Sequence, residues 1–427
     1  MADIRVPVDD LARALGPWTG RPASIEGLTR MSGGASRESW AFDAVGPGGV
    51  RTELVLRRDP PGRPSEVAAV HREVRALGLA ASAGLAVPEV LFMSEGPGLG
   101  TAGMVMRRVA GETIARRILR DEQYGRARAA LVGQLGRFAA GLHAIEPPDD
   151  FPQPDPLAAL RDALADLGWK SPVFDLAIER LEAEPPPSRE AVLLHGDYRL
   201  GNLVVGRDGL RAVLDWELTH AGNPAEDLGW LCVKAWRFGA AAPVGGLGDR
   251  EELLAAYRAA GGADVSVDEL RWWELLGTLR WGVMCMTQAQ AHLTGAHRSV
   301  ELAAIGRRVC EQEWDLLLLL DPEAAAGAAA RRPRPSGRAS DSPAPYGRPT
   351  ASELLDAVRE FLSDHVMPGT SGQLAFHARV AANVLGTVAR ELELGAPPPG
   401  GGLADEVAAR LAVANPRYFD TQPSADT

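Results

Sequence analysis

Three polar side chains, Asp197, Asn202 and Asp215, stand around one predicted hairpin, and their types and spacing suit cation binding and proton transfer. Val192-Leu193-Leu194-His195-Gly196-Asp197 leads through Asn202 into the apolar run Leu203-Val204-Val205. An Asp208-Gly209 pair follows, then a second apolar run ending at Leu214. An Asp-Gly pair between apolar runs signals a hairpin, because such turns need φ > 0, which Gly tolerates freely and Asp better than most. Antiparallel pairing puts Asn202, before the first strand, and Asp215, after the second, at one open end, with the strands about 4.8 Å apart. A carboxylate and an amide oxygen so placed suit Mg²⁺, a hard ion that keeps several waters and takes one or two carboxylates plus phosphate oxygens. Asp197 lies on the loop entering the hairpin, where a base can meet a substrate hydroxyl beside a phosphate.

The elements that must position these groups differ along the chain. Ser24 to Leu28, Ser39 to Val45 and Thr52 to Arg58 read as short strands separated by Gly33-Gly34 and Gly46-Pro47-Gly48-Gly49. A helix from about Ser65 to Ala83 and an apolar stretch, Ala102 to Val109, follow. This predicts a small antiparallel sheet with one helix over 1–107. From 108 to 321 the chain is mostly helical around the hairpin. The fold class is therefore α+β, a small antiparallel sheet with a helix followed by a larger, mainly helical part.

Composition shifts after Asp321-Pro322. The stretch 322–349 mixes Ala, Arg, Pro, Ser and Gly and is predicted to be a linker, helical for at most its first half dozen residues. Beyond it, 350–427 reads as a small helical domain. Thr350-Ala351-Ser352-Glu353 is a capping-box pattern ahead of Leu354, Leu355, Val358, Phe361 and Leu362. A second helix carries Phe376, Val380, Val384, Val388 and Leu392, and a third Leu403, Val407 and Leu411. These helices form a small bundle or half of an interface, and are expected to pack on the preceding lobe, on a protein partner or on a second copy.

Charge bounds the partners. With 45 Lys+Arg against 56 Asp+Glu the net charge is −11 and the pI about 5.4. Such a chain lacks the positive field that nucleic acid or an anionic membrane requires. Cys232, Cys285 and Cys310 are too few and too far apart for a disulfide framework or a C-x-x-C metal site. No apolar h-region follows a basic start, and the densest apolar run, Leu316 to Leu320, is too short to cross a bilayer. A cytoplasmic location is expected.

His195-Gly196-Asp197, with Arg199 and Asn202, followed by Asp215-Trp216-Glu217, resembles the catalytic loop and metal motif of the protein-kinase-like fold. The version is that of aminoglycoside phosphotransferases and choline kinases. The resemblance implies ATP and Mg²⁺ as cofactors and transfer of the γ-phosphate to a small-molecule hydroxyl. Asp197 would take the hydroxyl proton, Arg199 would touch the γ-phosphate, and Asn202 and Asp215 would hold Mg²⁺. His195 would orient the loop, and Asp227, on a helix opened by Asn223-Pro224, would brace it.

Ser32-Gly33-Gly34-Ala35-Ser36 would cover phosphates with backbone N–H groups. Val55 and Arg57 share one face of a strand. Arg57 stands where the family usually has Lys gripping the α/β-phosphates, paired with Glu73. Backbone groups near Arg107 and Val109 would face adenine.

The segment from Arg271 to Met286 has a Trp and Met stripe that reads first as core. Glu274, Arg280 and Trp281 within it, together with Glu217, are the candidate substrate contacts. This block, with Gly222 to Trp230 and Glu301 to Arg308, is similar to a branch that works with acyl-CoA dehydrogenases and phosphorylates 4-hydroxyacyl-CoA thioesters. The segment from Thr350 to about Leu394 resembles a small helical protein accompanying such kinases. The expected acceptor is a hydroxyacyl-CoA, the alternatives being an antibiotic kinase or a non-catalytic nucleotide-binding scaffold.

Overall fold

The computed structural model describes residues 6–19, 23–31, 37–61, 66–333, 351–396 and 400–421. Five antiparallel strands, β1 (Ser24–Arg30), β2 (Glu38–Val45), β3 (Arg51–Arg58), β4 (Val90–Ser94) and β5 (Gly103–Arg107), form one sheet in the order β1-β2-β3-β5-β4. Alternation along β3 sets its two faces. Leu54 and Leu56 are buried with Leu11, Leu15, Phe42 and Val105. Val55 and Arg57 therefore point to the other face, toward the helix Val67–Ser82. That helix buries Val70, Glu73, Ala76, Leu77 and Ala80 along one stripe, which carries the Glu73 carboxylate into an apolar setting at 1% exposure. A charge held there requires ionic partners.

The larger lobe is helical around two short ladders. β6 (Val192–Leu194) pairs with β9 (His220–Gly222), and β7 (Leu203–Gly206) pairs with β8 (Gly209–Val213). The second ladder is the expected hairpin, with its turn one residue earlier than the sequence suggests. Gly206 faces Gly209, so Arg207 and Asp208 form the loop, and of the expected pair Gly209 alone takes the positive φ, +138°. A Cβ on Gly209 would lie 2.1 Å from the Gln134 side chain. The long helix Val267–Leu293 is buried on most sides, which is why its apolar pattern shows no single face. Among the described residues no helix is long and apolar enough to cross a membrane.

The C-terminal part departs from the expected linker at its start, while its last helix packs on the large lobe, one of the expected alternatives. Pro322–Arg331 is a helix, started by Asp321, whose carboxylate accepts from Ala324 N–H at 2.9 Å, and by Pro322 in its first turn. The helical start of the expected linker is thus longer than the half dozen residues anticipated, because Ala325 and Ala328 are small enough to pack in the core. Thr350, the expected cap, lies outside the described residues. Helices Ala351–Phe361 and Gly372–Leu394 pack on each other, and the helix Leu403–Ala414 packs against Val309–Leu320 and Pro322–Arg331. Val407, Ala408, Leu411, Ala412 and Phe419 belong to the same hydrophobic core as the large lobe. The 372–394 helix buries Ala378, Ala382 and Gly386, while Phe376, Val388 and Leu392 of the expected stripe stay exposed. Leu354, Val358 and Phe361 form another open stripe at 54%, 50% and 56% exposure.

Candidate active site

The loop after β6 is fixed from beneath. Gly196 adopts φ +79°, and a Cβ there would meet the Leu218 carbonyl oxygen at 2.1 Å, so only glycine fits. Asp227, on the helix Ala225–Cys232, accepts from His195 N–H at 2.8 Å through Oδ2 and from Gly196 N–H at 2.9 Å through Oδ1. His143 Nε2 lies 3.4 Å from the same Oδ2. Burial pushes the Asp227 carboxyl up, but the hydrogen bond and charge of His143 and the contributions of His195 outweigh it and hold the group below its ordinary value. The His195 ring accepts Asp197 N–H on Nδ1 (3.1 Å) and donates from Nε2 to the Leu214 carbonyl (2.9 Å). Both ring nitrogens are engaged, which ties the loop to the strand end carrying Asp215.

Asp197 collects three donors. Oδ1 accepts from Arg199 Nε at 2.9 Å and Trp230 Nε1 at 2.7 Å, and Oδ2 from Asn202 Nδ2 at 2.7 Å. Asn202 Nδ2 also reaches the Asp197 carbonyl at 2.9 Å, so the amide nitrogen is fixed on this side and Oδ1 is left without a partner among the described residues. Leu214 N–H bonds to the Asn202 carbonyl at 2.8 Å, bringing Asn202 and Asp215 to one hairpin end. Asp215 itself takes φ +66°, a left-handed conformation rare outside glycine. Its Oδ2 has no partner among the described residues. Two oxygens with no partner, one of them carboxylate, fit a hard divalent cation. No group of three or more His, Cys, Asp or Glu side chains forms a metal cluster among the described residues, as expected where an amide is one of two ligands.

Arg57 spans the cleft. Nη1 donates to Glu73 Oε1 at 2.6 Å, and Nη2 to Asp215 Oδ1 and, at 3.2 Å, to Glu217 Oε2. Burial works against the guanidinium charge, but Glu73, Asp215 and Glu217 together raise its pKa above the ordinary value. For Asp215 burial again pushes up, and Arg57 above all brings the pKa below the usual range. Glu217 therefore stands on the Arg57 side, where the structure gives it an ionic partner. Arg37, which sequence reasoning missed, donates to Glu73 Oε2 and, at 3.0 Å, to Asp59 Oδ1. The only advance signal is that a buried Glu73 shared with Arg57 needs a further cation. Ser32, Gly33, Gly34, Ala35 and Ser36 lie outside the described residues.

At the hinge, Arg107 N–H is bonded to the Glu89 carbonyl (2.9 Å) and Arg108 N–H to that of Glu53 (3.0 Å). Val109 N–H makes no backbone hydrogen bond among the described residues, so it, rather than the Arg107 N–H, is the available donor. Val55 packs at the edge of the large core on the same face as Arg57.

The expected substrate contacts separate. Glu274 is 1% exposed and accepts from Arg237 Nη2 at 2.6 Å and from Arg250 Nε and Nη2 at 3.0 and 2.6 Å. It is a structural ion-pair node, out of reach of a substrate, because two arginines from other elements satisfy it. Arg280 donates to Glu226 Oε1 at 3.1 Å and lies 4.9 Å over Trp230, one indole ring away from Asp197. Trp281 is buried against Trp236 at 4.9 Å, and Trp236 lies 5.3 Å from Trp230. Arg199 rests 4.6 Å over Trp236. Trp230 and Trp236 were missed in sequence, although Trp230 lies one helical turn beyond Asp227.

The phosphotransferase enzyme family model matches residues 27–276, more than half of the chain. A domain of unknown function (DUF6285) matches 368–399. Acyl-CoA dehydrogenase family member 11 of Gallus gallus is 25% identical over 402 residues, covering 86% of this chain and 49% of the relative. Acyl-CoA dehydrogenase family member 10 of Mus musculus is 28% identical over 204 residues, 42% of this chain and 18% of the relative. The chain thus spans half or less of the length of these curated relatives. A solved protein of Ralstonia eutropha assigned as an aminoglycoside phosphotransferase superposes with a TM-score of 0.58 at 20% identity, covering 74% of this chain and 99% of that one. At that identity the likeness shows the fold, a two-lobed kinase-like architecture.

Proposed function

Because the chain belongs to the phosphotransferase enzyme family, we propose that its cleft transfers the γ-phosphoryl group of ATP to the hydroxyl of a small molecule, specifically a hydroxyacyl-CoA. The observation that carries this reading is the Asp197 carboxylate. Three donors hold it beside two oxygens at the hairpin end that have no partner among the described residues.

In this reading the acceptor hydroxyl hydrogen-bonds to Asp197 Oδ2 and gives up its proton there as its oxygen bonds to the γ-phosphorus. The bond from that phosphorus to the β–γ bridging oxygen breaks, and ADP leaves. Arg199 is held through Nε, which leaves its outer guanidinium nitrogens to face the charge on the transferring group. Asn202 Oδ1 and Asp215 Oδ2 would hold Mg²⁺, which when bound neutralises phosphate charge. Arg57 keeps Asp215 turned toward the nucleotide side, and Val109 N–H offers a donor to the base. Catalysis is then chiefly positioning and electrostatics.

Two observations support the acceptor class. The wall beside Asp197 carries Arg199 and Arg280 on tryptophan faces, a poor match to a polycationic aminoglycoside. The match to the chicken relative named as an acyl-CoA dehydrogenase family member runs through most of the chain. One observation favours the scaffold reading. Arg57 occupies Asp215 Oδ1, so a metal there meets a competing cation.

Incubation with ATP, Mg²⁺ and a hydroxyacyl-CoA series, read by mass spectrometry, is expected to give ADP and a phosphorylated thioester. Asp197→Asn should lose roughly 10²- to 10⁴-fold in rate, and Asp215→Asn should be inactive. Nucleotide binding without ADP release for any acceptor would establish the scaffold, and turnover of aminoglycosides alone the antibiotic kinase.

A further inference from the structure

We infer that the C-terminal turn Pro416–Thr421, with Asn415 before it, positions the acceptor side of the active site by fixing Trp236, the ring on which Arg199 rests. Two independent chains of contacts run from this segment to that ring.

The first passes through Asp315. Tyr418 Oη donates to Asp315 Oδ2 at 2.7 Å, and Lys234 Nζ reaches Oδ1 at 2.8 Å. The Lys234 ammonium also lies 4.1 Å from the centre of the Tyr418 ring. Lys234 opens the short 3₁₀ turn Lys234–Arg237, which carries Trp236.

The second passes through Glu311. Asn415 Nδ2 donates to Glu311 Oε1 at 3.1 Å, and Arg308 Nε to Oε2 at 2.9 Å. Arg308 lies 5.7 Å over Trp281, whose ring packs tilted at 55° against Trp236, 4.9 Å away. Phe419 locks the turn in place, 5.2 Å from Trp314 and under the Arg332 guanidinium at 4.4 Å.

Trp236 depends on these neighbours. Its buried Nε1 has no hydrogen-bond partner among the described residues, so packing and stacking alone set the ring plane. Among the described residues Arg199 in turn has one hydrogen-bond anchor, Nε on Asp197, with Trp236 as the second surface that fixes its plane. Asp315 is buried, and losing the Tyr418 donor leaves a carboxylate that must draw Lys234 closer or admit water. Either response moves the 3₁₀ turn. Tyr418 is thus a positioning residue, acting through Lys234 and Trp236.

The kinetic consequence rests on the proposed role of Arg199, whereas the structural one does not. Tyr418→Phe in the full chain keeps the ring over Lys234 and removes the hydroxyl. With acceptor present, kcat should fall by roughly 3- to 30-fold while the KM for ATP stays within about twofold. The near-UV circular dichroism of the tryptophan cluster should change, and amide exchange at Lys234–Arg237 should accelerate. Val407→Ala, which disturbs the tail core away from the turn, should lower the melting temperature without the kcat effect or the exchange change. Unchanged kcat, dichroism and exchange in Tyr418→Phe would overturn the inference. If wild type turns over no acceptor, dichroism and exchange decide alone: a change in Tyr418→Phe absent from Val407→Ala upholds the positioning role, and no change refutes it.

Discussion

At the scale of single residues, legibility divides along a clear physical line. Asp197, Asn202 and Asp215 could be placed because their arrangement follows from one hairpin, whose pairing is local. Glu274 could not, because its partners Arg237 and Arg250 stand 37 and 24 residues away and only tertiary packing brings them together. Arg37 escaped for the same reason. Arg57 shows what its residue type adds: a planar fork bridges Glu73 on one side and Asp215 and Glu217 on the other, where a single ammonium has no such fixed fork. Asp227 gives a test at this scale. Its folded pKa is below the ordinary 3.8, so its stabilisation is fully present above that value and is lost as pH falls through the lower folded one. Asp227→Asn should cost about 1–3 kcal/mol near neutrality. The variant should also lose stability less steeply on acidification, as denaturant unfolding from pH 7 to pH 3 will show.

At the scale of elements, the strands, the helix facing them and the paired 203–213 hairpin were visible as periodicity and turn residues. The errors lie in orientation. The turn sits at Arg207–Asp208 because a dipeptide signal does not say which residue takes the left-handed conformation. The 372–394 helix turns Ala378, Ala382 and Gly386 inward, since small side chains permit close helix approach while larger apolar ones remain outside. The His195–Asp197 loop, the proposed catalytic loop, tolerates little change at Gly196. A methyl group on Gly196 collides with backbone, not with a side chain that can move aside, and the φ is unfavourable as well. Gly196→Ala should therefore displace the His195–Asp197 segment, reducing turnover by at least about 10²-fold through misplacement of the base. Its stability should also fall, and activity with thermal melting on one sample will check both.

At the scale of the molecule, the net charge of −11 hid three arginines, Arg57, Arg199 and Arg280, paired with Asp215, Asp197 and Glu226 around the proposed site. The tail was legible as helices that pack on the lobe or on a partner, but not which of the two, since a shared core is written in no single segment. Its attachment combines an apolar core with polar contacts to the buried carboxylates Glu311, Glu313 and Asp315. Leu411→Ala should cost about 2–5 kcal/mol, whereas the exposed pairs Arg307–Glu391 and Arg331–Asp405 contribute about 0–1 kcal/mol each. The tail should accordingly stay docked in high salt and loosen in the leucine variant, as amide exchange across 403–414 will report.

The Tyr418–Asp315 bond joins residues 103 apart in the chain. A ribosome adding about 5–20 residues per second needs roughly 5–20 s to cover that distance. During that interval Asp315 and Lys234 have emerged without the tyrosine that completes their pairing. The floor beneath Arg199 therefore sets later than the sheet and the 203–213 hairpin, which have time to form before Tyr418 is made.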